Sequence, residues 1–222
     1  MFVSNSTKSF GRAALAGVVL WAAAGLTHAN TNAFYVPSFR GEAGSTAAGW
    51  DFFTVGVGAP GNAPDLAGST ATTARLTQLQ ADAFVVGSGN IYNQPSVSSF
   101  VINYTAGARI DTVILQTRTV GAELDYSSVA LTYAGGSLAG TRTELDRAPF
   151  VGQGPGSIVS SAWTWNLSGV DTSDLTISFK ADGPSLSFDS ATLDVKTLPE
   201  PGTWALLILG LAAGGLALRR SR

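Results

Sequence analysis

Carboxylates, hydroxyls and a few amines are the groups this chain of 222 residues offers for chemistry, because it contains no cysteine and a single histidine, His28. His28 lies in an N-terminal segment expected to be removed, as argued below. Its loss would exclude thiol catalysis, histidine-based triads and ordinary zinc sites together. Two acidic pairs stand close in sequence: Glu123 with Asp125 on one side of an extended segment, and Asp171 with Asp174 in a turn ahead of a strand. A glycosidase needs two carboxylates ~5–10 Å apart, one of them kept protonated by an apolar pocket. Against that reading stands the plain one, in which all four are solvated turn or edge residues. Acidic and carbonyl ligands would also suit a structural calcium ion, but no EF-hand or repeated Asp-Gly pattern names a ligand, so the metal ligands stay unassigned.

Two further patterns bear on binding. Trp163 and Trp165 are two apart and present both indoles to one face of a strand. Exposed, they would form a stacking platform for sugar rings; buried, they are core, with Leu167 continuing the stripe. Gly56, Gly58 and Gly61 match a dinucleotide-binding fingerprint, with Asp82 roughly twenty residues on. The match fails in context, since Pro60 and Pro64 interrupt the helix that should open there and no βαβ alternation follows.

The elements that would position these groups are strands. Between residues 30 and 197 no sustained 3.6-residue apolar period occurs, whereas two-residue alternation recurs at short spacing, which predicts an all-β fold with a single β-sandwich. Strands are expected at 50–55, 83–86, 98–104, 109–118, 128–133, 141–146, 158–167, 175–180 and 185–195, with one helical turn within 71–81. Leu175, Ile177 and Phe179 share a face that should line the core. The last strand places Leu186 and Phe188 on one face and then Ala191, Leu193 and Val195 on the same face, which calls for a bulge near Asp189 and Ser190. This closing strand, with Trp165-Asn166-Leu167-Ser168-Gly169 ahead of it, loosely resembles jelly-roll domains of the carbohydrate-binding type.

The two ends read as address. In residues 1–29, Lys8 and Arg12 give a basic start, residues 13–26 an apolar stretch, and Thr27-His28-Ala29 a small-residue cut site, so that the general secretion machinery would export the chain and cleavage would follow Ala29. A retained N-terminal anchor is the alternative. The sandwich is expected over 30–197. There, eight basic residues face fourteen acidic ones, a formal net charge of −6 that repels phosphate backbones and argues against nucleic acid as a partner. In 198–222, the stretch 204–218 is uncharged. As a helix it would extend ~22 Å, short of a ~30 Å hydrocarbon core. Trp204 precedes it at an interfacial position, and Arg219, Arg220 and Arg222 follow where the positive-inside rule holds them in the cytoplasm.

The order Pro199-Glu200-Pro201, Trp204, an apolar Leu- and Gly-rich stretch and Arg219-Arg220 resembles the PEP-CTERM sorting domain of Gram-negative bacteria. That resemblance covers residues 199–222. It implies handling by exosortase, a membrane-embedded cysteine protease or transpeptidase, with a cut near the triplet after export. It further implies transient anchoring in the inner membrane, then display at the cell surface or in an extracellular matrix, in exopolysaccharide-producing, biofilm-forming species. Segments 37–42, 49–53 and 89–92 resemble the ectodomain of other PEP-CTERM proteins, which implies class and not chemistry. The expectation is a non-enzymatic, cofactor-free surface protein. The alternatives are a carbohydrate-binding module engaging exopolysaccharide through Trp163 and Trp165, and a carboxylate-dependent glycoside hydrolase.

Overall fold

The computed structural model describes residues 34–151 and 156–198. The expected leader with Ala29 and the expected sorting tail carrying Pro199, Glu200, Pro201, Trp204, Arg219 and Arg220 lie outside the described residues. The strands are β1 (Ser45–Trp50), β2 (Arg75–Gln78), β3 (Phe84–Val85), β4 (Ile91–Asn93), β5 (Ser99–Thr105), β6 (Ile110–Gly121), β7 (Ala130–Tyr133), β8 (Gly136–Ala139), β9 (Thr141–Pro149), β10 (Ser157–Asn166), β11 (Asp174–Lys180) and β12 (Leu186–Thr197). One sheet runs β3-β4-β12-β6-β10-β9, and β1 joins β12 on the flank that β4 also uses. The second runs β2-β5-β11-β7-β8. Every pairing is antiparallel. Among the described residues no helix is long and apolar enough to cross a membrane.

The sheets face each other across one apolar core, as the alternation in the strands requires. Its centre is aromatic. Phe188 of β12 meets Phe100 of β5 at 4.6 Å and Phe179 of β11 at 5.6 Å between ring centroids, and Phe53 lies 5.7 Å away. Burying each such ring contributes ~1.5–3 kcal/mol relative to leaving it in water. Leu175, Ile177 and Phe179 line the core as expected, and Leu186, Phe188, Ala191, Leu193 and Val195 are all fully buried. They keep one face because the register of β12 against β6 slips between Phe188 and Ser190, at the expected bulge.

Two expectations are corrected. Residues 71–81 contain no helical turn; they lead into β2, where Leu76 and Gln78 alternate inward and Leu76 pairs opposite Ile102. Pairing with β5 and burial of Leu76 override the helical preference of its alanines. The first strand lies at Ser45–Trp50 and not at 50–55. Beyond Trp50 four of the next five backbone amides are taken by side chains, Asp65 accepting from Asp51 and Phe52 and Asn62 from Thr54 and Val55, while the Phe53 amide donates to the Gly89 carbonyl. Such local capture competes with a sheet ladder. The short strands β4 and β8 were outside the expected set.

Residues ahead of β1 lie over the outer face of the larger sheet. The Tyr35 amide donates to the Gln116 side chain, whose amide returns a bond to the Tyr35 carbonyl. Arg40 places its guanidinium on the Asp194 carboxylate at 2.5 and 2.6 Å.

Candidate functional site

The carboxylates singled out by sequence are held in ion pairs and turns. Glu123 accepts from the Arg147 guanidinium at 2.5 and 2.8 Å and from the Tyr126 hydroxyl. The Arg147 hydrogen bond holds the Glu123 carboxyl below its ordinary value. Asp125 accepts from the Ser127 hydroxyl and amide, caps the short 3-10 turn Tyr126–Ser128, and is likewise lowered, chiefly by Ser127. Asp174 opens β11, accepts from the Thr105 and Ser173 hydroxyls and is lowered, Thr105 contributing most. Asp171 is exposed and makes no ion pair among the described residues. A catalytic acid needs the opposite environment, an apolar pocket that raises its pKa.

A raised carboxyl does occur at Asp194, which sequence did not single out. Its side chain is 0 % exposed, and burial raises its pKa against the opposing Arg40. Both carboxylate oxygens are occupied by the Arg40 fork, so the group works as a structural clasp. No signal marked it, because Asp194 is one polar residue among several on the outward side of β12.

Trp163 and Trp165 do not form an exposed platform. They are 1 % and 2 % exposed, part of the core beneath β10. Trp165 donates its indole N–H to the Leu138 carbonyl at 3.1 Å, and Trp163 lies 6.3 Å from the Tyr126 ring. Their common face points inward because outward positions of β10 are taken by Thr164 and Asn166. Gly56, Gly58 and Gly61 lie in a loop that returns through an isolated bridge between Asn62 and Leu76, with no helix after it. Among the described residues no cluster of three or more His, Cys, Asp or Glu could hold a metal.

The feature with the form of a binding site is a cleft of about 740 Å³ on the outer side of the larger sheet. That size falls in the ~300–1,000 Å³ range of small-ligand sites. Tyr92 of β4 projects into it, its ring edge-on to Phe84 at 5.8 Å. Asn90 sits below, donating to the Ser187 hydroxyl at 3.1 Å and to Asp189 at 2.8 Å. Asp189 is itself paired with Arg118. Ser185, at the rim, holds φ of 68°, a left-handed conformation that no other non-glycine residue adopts among the described residues. Gly121, with φ of 89°, passes under it; a Cβ there would stand 2.7 Å from the Ser185 carbonyl oxygen. Sequence reasoning missed Tyr92 because β4 is three residues long, although the order buried Ile91, outward Tyr92, buried Asn93 is strand alternation.

No protein family, curated protein or solved structure matches this chain.

Proposed function

We propose that this chain is an exported cell-surface or matrix protein, sorted and trimmed by exosortase through its Pro-Glu-Pro tail. Its sandwich, which we take to be jelly-roll-like, serves a structural or adhesive role in an exopolysaccharide or biofilm setting and catalyses no reaction. The observation that carries the reading is where the last described strand ends. The Thr197 amide donates to the Gly44 carbonyl and the Leu198 amide to the Arg109 carbonyl, each at 2.8 Å. Pro199 comes next and has no N–H with which to continue a ladder. The two prolines favour an extended segment that a protease reads as a strand. A cut at the triplet therefore removes none of the described strands, and the domain survives release from a transient inner-membrane anchor.

The absence of catalysis rests on the carboxylates. Glu123, Asp125 and Asp174 have lowered pKa values, and Asp194, which is raised, is enclosed under Arg40. Intact-mass analysis of the protein isolated from its native host tests the sorting reading. The expected mature chain begins at Asn30 and ends near Pro199. A mature mass that still includes Arg222 overturns sorting and leaves a permanent anchor.

A further inference from the structure

We propose that the cleft on the outer side of the larger sheet binds a segment of an uncharged polysaccharide. The proposal does not depend on the tail, since the cleft is built from described residues of the sandwich alone.

The lining chemistry selects the ligand. Tyr92 and Phe150 supply ring surface, Gln94 supplies an amide, and Ser88 and Ser187 supply hydroxyls. No lining residue carries a formal charge at neutral pH. Arg118 and Asp189, beside Asn90, are spent on each other and on Asn90. A ligand for this surface has apolar faces to lay on rings and a hydroxylated edge to meet amides, and it brings no charge needing a partner. Sugar rings have that pattern. The −6 formal charge of the domain adds a long-range term against polyanions.

The geometry favours a chain over a single sugar. Phe84, Tyr92, Ser187, Val120 and Ile158 are successive cross-strand partners and form one outward row over β3, β4, β12, β6 and β10. At ~4.8 Å between neighbouring strands the row is about 19 Å long. The left-handed Ser185 at the rim is a second observation, since a strained backbone is retained where the surrounding structure needs its placement. Its carbonyl accepts from the neighbouring Ala122 amide and its own amide donates to the Asn93 carbonyl, which fixes the rim.

Affinity electrophoresis of the full chain in detergent tests this, with gels containing hydroxyethylcellulose, galactomannan or dextran, and alginate as the anionic comparison. The expected result is retardation by at least one neutral polymer and none by alginate, weakened at least ~10-fold by Tyr92→Ala, or ~1.4 kcal/mol. Gln94→Ala, at an exposed position, should lose roughly five-fold and decides the matter if Tyr92→Ala misfolds. Migration unchanged by all three neutral polymers overturns the proposal. So does equal retardation by alginate, or binding indifferent to Gln94→Ala and to folded Tyr92→Ala.

Discussion

Replacing Arg40 by alanine should strand a carboxylate in the protein and make stability respond to pH in a direction opposite to ordinary acid unfolding. Asp194 is 0 % exposed, and Arg40 is its ion-pair partner. Removing one member of a buried pair costs ~3–5 kcal/mol, because the remaining charge stays desolvated. Arg40 is itself 31 % exposed, so part of its attraction is screened by water and the low end, ~3 kcal/mol, is expected. With a urea slope of ~2 kcal/mol/M, the midpoint should fall by ~1.5 M. The sign with pH follows from the proton balance. Burial already raises the Asp194 carboxyl, and losing Arg40 removes the two effects that oppose it. An acid with a raised folded-state pKa binds its proton more readily in the folded chain, so its penalty is present at neutral pH and fades as pH falls toward the ordinary carboxylate range. The gap between wild type and Arg40→Ala should therefore be largest near pH 7 and narrow by pH 5. Urea unfolding followed by tryptophan fluorescence at both pH values measures it. Asp194→Asn in the Arg40→Ala background should abolish the pH dependence. A gap under ~1 kcal/mol at pH 7, or one equal at both pH values, refutes the clasp.

Trp163→Ala should destabilise the fold by ~3–5 kcal/mol, as expected for an indole deleted from a packed core, with thermal unfolding by circular dichroism as the readout. A loss under ~1 kcal/mol would place Trp163 on the surface. Glu144 should titrate at about 2, well below its ordinary 4.5, because Arg147 and then Arg142 bond its carboxylate. That lowered value means its contribution is full above the ordinary range and is lost as pH falls toward 2. In Arg147→Ala the titration followed by carbon-13 NMR should move back toward 4.5, and an ordinary value in the wild type would refute the network.

Legibility in the sequence followed a physical line. Long strands with strict alternation, such as β11 and the two halves of β12, were readable because burial of one face demands period two and the bulge follows from the phase slip. The segment 51–55 was not, because its apolar residues look like a strand while all of its amides but that of Phe53 are claimed by the side chains of Asp65 and Asn62 from farther along the chain. The tryptophan pair was legible as a stripe but not as to side: only packing decides which face of β10 meets the core. The cleft was illegible throughout, since its parts come from β4, β6, β12 and five connecting segments.

By itself the sequence determined the composition of the problem. It fixed an all-β alternation, a chain with no cysteine and with its one histidine at position 28, an acidic central region, and the order of motifs at the two ends. These are properties of residue type and local spacing, which need no partner from elsewhere in the chain. Tertiary structure decided which carboxylates are neutralised, which aromatics are hidden and where a concave surface forms. Each of those depends on strands distant in sequence being brought side by side, as when β4 and β1 share one flank of β12 and Arg40 reaches across 154 positions to Asp194.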